Sequence, residues 1–111
     1  MTELISFDID GTLESGDPPG TITMTMVRLV KNKGYIIGSC SDRPIGIQQG
    51  MWATNDIKAD FTVLKHQLST VKSNFKADRY YHIGDTYMDE FYAHRAGFEF
   101  ISVDTLPEIQ V

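Results

Sequence analysis

A chain of 111 residues has the length of one domain and leaves no room for a second. With 41% hydrophobic and 23% charged residues its balance is globular, which excludes an intrinsically disordered chain. Fifteen Asp and Glu against ten Lys and Arg, a net charge of −5, weigh against unaided binding to nucleic acid or to an anionic membrane.

A lone cysteine, Cys40, cannot form an internal disulfide, and no Cys/His cluster offers a zinc site, so a reducing, cytoplasmic setting is expected. The opening Met1-Thr2-Glu3-Leu4-Ile5-Ser6-Phe7 carries an acid where a secretory signal wants bases. No window approaches the ~18 apolar residues that cross a bilayer, so the chain reads as soluble, unprocessed and without a membrane partner.

Taken in chain order, short apolar runs alternate with longer stretches of helical period. Strands are expected over 4–9, 35–40, 61–64, 80–83 and 99–103. The first helix is expected over 21–33, with Ile22, Met26, Leu29 and Val30 on its inner face, stopping at Gly34. A second starts at Pro44, with Ile47, Met51 and Trp52 turned inward. A third, over 66–77, groups Leu68, Val71 and Phe75; a fourth, over 86–96, groups Met88, Phe91, Tyr92 and Ala96 before Gly97. Strand and helix in alternation, joined by right-handed crossovers, predict an α/β fold: a Rossmann-like three-layer sandwich around a five-stranded parallel sheet.

Ligands of such sheets bind beyond the carboxyl ends of the strands, so the residues just after each strand carry the chemistry. Strand one is followed by Asp8-Ile9-Asp10-Gly11-Thr12, and strand four by Gly84-Asp85-Thr86-Tyr87-Met88-Asp89, whose second acid lies one helical turn beyond the first. Four converging carboxylates repel one another unless a cation neutralises them, and an all-oxygen set suits Mg²⁺ better than zinc. An EF-hand calcium loop wants glycine at its sixth position, where Leu13 stands. Ser41-Asp42-Arg43-Pro44 after strand two and Lys65 after strand three supply hydroxyl, amide and ammonium groups, which are ligands of phosphate. A carboxylate nucleophile, a second carboxylate for proton transfer, a metal and a lysine together describe phosphoryl transfer through an aspartyl-phosphate.

On these residues the chain resembles the haloacid dehalogenase superfamily of phosphohydrolases, all four of whose motifs occur in order. The resemblance implies the sheet order 5-4-1-2-3 and a Mg²⁺-dependent phosphomonoester hydrolase. Asp8 would be the nucleophile and Asp10 the general acid and base, oriented by Thr12. Ser41 and Lys65, with Thr12 nearby, would bind the phosphoryl group. Asp8, the backbone carbonyl of Asp10, and Asp85 would hold the metal, with Asp89 in support. Dehalogenases of this family lack a second aspartate in the Asp10 role, so a phosphorus substrate is implied.

Ser39, on the same strand face as Ser41, and Lys72, further into the third helix, are rival phosphate ligands. Arg43 serves either phosphate or solvent. Cys40 does not fit a cysteine-phosphatase loop and reads as a buried strand residue, while His66, His82 and His94 form no cluster and read as structural or exposed. Members of the family usually carry a cap domain after strand one or strand three. Here residues 13–20 and the junction after strand three have room for neither, and little or no helix follows strand five before Leu106-Pro107-Glu108-Ile109-Gln110-Val111. The resemblance is therefore to capless members, whose open crevices go with large phosphorylated substrates or with a homo-oligomer that covers the site. A phosphate- or metal-binding regulatory protein and a phosphotransferase are the alternative functions.

Overall fold

The computed structural model describes residues 1–108, with side chains through residue 105. Five strands, β1 (Glu3–Phe7), β2 (Ile36–Ser41), β3 (Phe61–Leu64), β4 (Arg79–Gly84) and β5 (Glu99–Ser102), form one all-parallel sheet in the order β3-β2-β1-β4-β5. This is the expected 5-4-1-2-3 arrangement. In its centre Phe7 lies level with Ser39 of β2 and Ile83 of β4, so β1 and β4 end at nearly the same height and β2 runs on to Ser41.

Helices α1 (Met24–Asn32) and α2 (Ile45–Thr54) cover one face, and α3 (Leu68–Asn74) and α4 (Tyr87–Ala96) the other. The period of two along each strand divides the core accordingly. Phe7, Ile37 and Ile83 join Met24, Val27 and Trp52 in one apolar cluster, whereas Leu4 and Cys40 join Leu68, Val71 and Ala93 in the other. No domain interrupts the run from β1 to α1 or from β3 to α3, the latter bridged only by a 3-10 turn at Lys65–Gln67. Among the described residues no helix is long and apolar enough to cross a membrane.

Three helices match the expected inner face only in part: Ile22, Val30, Met51, Trp52 and Ala96 reach the core, and other expected residues do not. The first helix starts at Met24, not 21, because Glu14 accepts the Met24 N–H at 2.7 Å and Thr23 caps Met26 N–H at 3.1 Å, while Ile22 is still paired with Leu13 in an extended bridge. Shifting the start shifts the phase: Met24 and Val27 are buried, and Met26 and Leu29 are exposed. In α2 the inner pair is Gln48 and Trp52, and Ile47 faces out. In α4 it is Asp89 and Ala93, with Phe91 and Met88 exposed. A buried carboxylate or amide is tolerated there because each finds hydrogen-bond partners, described below. After β5, Val103–Glu108 forms a 3-10 stretch in which Val103 is buried; 109–111 of the expected helix-poor tail lie outside the described residues.

Candidate active site

The strand expected to run to Ile9 ends at Phe7, and Asp8 prolongs the ladder by one bond from its N–H to the Ile83 carbonyl at 2.9 Å. The chain then turns on Ile9, whose carbonyl accepts from both Thr12 and Leu13. Gly11 sits in this turn at φ 74°, and a β-carbon on it would lie 2.0 Å from Oδ2 of Asp85. Glycine therefore serves twice here, for its positive φ and for the close approach of a carboxylate from the neighbouring strand end.

Asp8 is the buried centre of the site. Oxygens of Asp8, Asp85 and Asp89 lie within 4.8 Å of one another. Burial, then the charge of Asp89, and the hydrogen-bonding contact with Asp85 push the Asp8 carboxyl up to about 8, and Lys65 offsets only part of this. The Lys65 ammonium stands 4.0 Å from Asp8, 3.5 Å from Asp89 and 3.6 Å from Asp42. Burial alone would lower its pKa, but these three acids outweigh that and raise it, so the lysine stays a fixed cation.

Behind Lys65 runs a buried polar chain through two β-strands. Oδ1 of Asp89 is 2.9 Å from Nε2 of His82, and Nδ1 of His82 is 2.9 Å from the Ser6 hydroxyl. An ionised Asp89 only accepts, so Nε2 carries a proton and, in the neutral ring, Ser6 donates to Nδ1. The other oxygen of Asp89 accepts from the Thr86 N–H and hydroxyl at 3.2 and 3.0 Å. Burial would raise the Asp89 carboxyl, yet His82, Lys65 and the Thr86 amide bring it down to about 2. Ser6 and His82 belong to the site region and were not singled out as site residues from sequence. Their signal is a serine and a histidine at paired positions of adjacent strands, each on the face of an otherwise apolar run.

Asp10 stands apart from the three-carboxylate group. Its oxygens accept from Arg43 at 2.9 and 3.1 Å and from the Asp17 N–H at 2.7 Å. The Arg43 bond is the largest influence, and together with Asp17 it holds the carboxyl below its ordinary value. Thr12 is fully buried, and its Oγ1 has no hydrogen-bond partner among the described residues.

The rival phosphate ligands are engaged elsewhere. Ser39 donates to Gln48 at 2.6 Å and accepts from the Trp52 indole at 3.0 Å, all buried. Gln48 in turn donates to the carbonyls of Arg43 and Val63, which ties α2 to the turn after β2 and to β3. Ser41 lies at the head of that turn, where its Oγ accepts the Arg43 N–H at 3.0 Å. Lys72 donates to the Gly97 carbonyl and lies over the ring of Tyr80, near the start of β4. Cys40 is a buried strand residue whose thiol is pushed up by burial.

A hard cation fits this donor set. Asp8, Asp85 and Asp89 present only oxygens, and burial together with the neighbouring acids disfavours the Asp8 anion in a way that a cation would offset. Both oxygens of Asp89 are already bonded, which leaves Asp8 and Asp85 as the carboxylates with capacity to spare. A groove of about 500 Å³ lined by Trp52, Ala53, Ile57, Ala59 and Phe61 lies at the opposite end of the sheet, where β3 begins, and gathers none of these groups. No protein-family model and no curated protein matches the chain, so the assignment of a chemistry rests on the residues themselves.

Proposed function

We propose that the chain is a Mg²⁺-dependent phosphomonoester hydrolase of the haloacid dehalogenase type, working through an aspartyl-phosphate on Asp8. One observation carries this reading: Asp8 stands at the carboxyl end of the central strand between a largely buried lysine and two further carboxylates. In such a site a phosphoryl group finds a nucleophile, and its charge finds a cation.

An oxygen of Asp8 attacks phosphorus, the ester P–O bond breaks, and the leaving alkoxide takes a proton from Asp10. Water then attacks the same phosphorus while Asp10 accepts its proton, and the acyl–phosphate bond breaks to regenerate Asp8. Lys65 neutralises the phosphoryl oxygens throughout, and the Ser41 hydroxyl and the amides of its turn orient them. Asp8, Asp85 and the backbone carbonyl of Asp10 would hold the metal, with Asp89 in support. When bound, it neutralises the carboxylates and polarises the phosphoryl group. With no domain inserted after β1 or β3, a phosphate carried on a large molecule would reach the strand ends as readily as a small one.

Phosphate release across a panel of phosphomonoesters, with Mg²⁺ and with chelator, tests the reading. Turnover that needs Mg²⁺ and falls by a factor on the order of 10³ or more in Asp8→Asn, with the circular dichroism spectrum unchanged, is expected. Equal release by the Asn variant, or full activity in chelator, refutes it.

A further inference from the structure

Both oxygens of the Asp10 carboxylate are occupied, and the group that occupies them is one that phosphate also attracts. Arg43 donates Nε to Oδ2 at 3.1 Å and Nη2 to Oδ1 at 2.9 Å, and the Asp17 N–H takes a second place on Oδ1. A carboxylate paired by two prongs with a guanidinium is held as the anion, so it has no proton to hand to a leaving group until the pair opens.

The backbone of Arg43 is as fixed as its side chain is free. Its N–H is bonded to Ser41 Oγ and its carbonyl to the buried Gln48 amide. Beyond that anchor the side chain is 37% exposed, and the acid that holds it is 35% exposed. The guanidinium therefore springs from the same short turn as Ser41, and it can change partner by rotating its own side chain without moving the turn. A phosphoryl dianion offers the same fork-matching pair of oxygens as a carboxylate, with more charge.

We propose that Arg43 is an exchangeable latch. It holds Asp10 in the resting protein and passes to the phosphoryl group of an arriving phosphomonoester, so that one movement binds the substrate and frees Asp10 for proton transfer. The proposal rests on the assignment of Asp8 and Asp10 as the phosphoryl-transfer pair, and it makes Arg43 a ligand of the substrate.

The test is a double-mutant cycle on the binding of inorganic phosphate, read by calorimetry in Mg²⁺ for the wild type, Arg43→Gln, Asp10→Asn and the double variant. Arg43→Gln is expected to weaken phosphate binding about tenfold or more, the scale of a lost charge-assisted hydrogen bond. Asp10→Asn is expected to tighten it by releasing the arginine, and most of that gain is expected to disappear when Arg43 is already Gln. Arg43→Lys recovers part of the affinity, since an ammonium lacks the fork.

Equal effects of Asp10→Asn with and without Arg43 overturn the latch, because removal of a repelling charge alone then explains them. Unchanged affinity in Arg43→Gln overturns it too, as does an absence of phosphate binding in wild type and Asp10→Asn alike. Since binding is read without turnover, the two readings fail separately. Coupled phosphate binding without hydrolysis removes the hydrolase and keeps the latch, whereas wild-type kcat/KM in Arg43→Gln removes the latch and keeps the hydrolase.

Discussion

Asp8 and Asp10 are two residues apart and meet opposite surroundings. Asp8 is buried beside two other acids, with its nearest cation 4.0 Å away, and its carboxyl is pushed up to about 8. Asp10 is partly open to solvent, gripped by a guanidinium and a backbone amide, and held below its ordinary value. Environments that drive two carboxyls apart mark a division of labour between acid and base. Here the division runs opposite to what phosphoryl transfer asks at its first step, which needs Asp8 ionised and Asp10 protonated. The missing charges are those of the ligands. A cation beside Asp8 favours its anion, and a phosphoryl group that draws Arg43 away lets Asp10 take up a proton.

The strongest way to break that contrast is to titrate the fold. A carboxyl whose pKa is raised in the folded state from 3.8 to about 8 keeps a proton that the unfolded chain has released. Its contribution to stability is therefore full below pH 4 and is lost as pH rises toward 8, by an amount on the order of 5 kcal/mol. That is comparable to the whole stability of a small domain. In chelator, thermal unfolding of the wild type is expected to shift down steeply between pH 5 and pH 8. Asp8→Asn removes the slope and raises Tm at pH 8, and Mg²⁺ raises Tm of the wild type but not of the Asn variant. A wild-type Tm that is flat over this range would show that Asp8 is not the strained carboxyl of the pair.

The polar chain behind Asp8 supplies the next largest effect. His82→Leu leaves Asp89 buried without one of its two strongest partners and Ser6 without an acceptor, a loss of about 3 kcal/mol. For a domain of this size that lowers Tm by more than 10 °C. His82→Gln, which can still donate to Asp89, is expected to recover part of it. Denaturant unfolding of the two variants at constant pH checks the order. Equal stabilities would mean that Asp89 is held by Lys65 and Thr86 alone.

Much of this arrangement was legible in the residues. The alternation of apolar runs with helical stretches led to the parallel α/β fold, the resemblance implied the sheet order, and reading the strand ends placed Asp8, Lys65, Asp85 and Asp89 beside one crevice. The inward face of α3 was legible, with Leu68, Val71 and Phe75 packed as expected, but those of the other helices were legible only in part, because periodicity gives a face only once the start is known. The start of α1 depends on Glu14, ten residues upstream, capping Met24. Nor could the pattern show that α4 turns a carboxylate inward, since Asp89 is tolerated there only through His82, Lys65 and Thr86. Arg43 reads as solvent-facing or phosphate-facing until the fold brings it to Asp10, 33 positions away. Local pattern carries the scaffold; the charge states of the site depend on partners that only the fold brings together.

The smallest effect is the one that sharpens the comparison, because it has the opposite sign. Asp10 is held below its ordinary pKa, so it contributes stability above the unfolded value near 3.8 that is lost as pH falls through the lowered folded value. Asp10→Asn is therefore expected to destabilise at pH 7, whereas Asp8→Asn stabilises at pH 8. The Arg43 pair is more than a third exposed on its arginine side, and solvent screening keeps the cost below about 1 kcal/mol. Because the pair is open to ions, 0.5 M NaCl should shrink the difference between wild type and Asp10→Asn, and it should leave the buried Asp8 effect nearly intact. Two Asn substitutions, two residues apart, with opposite signs and unlike responses to salt, can arise only if burial governs one carboxyl and ion pairing the other. The same sign at both positions would mean that Arg43 does not hold Asp10 in solution, and the contrast between the two acids would reduce to burial alone.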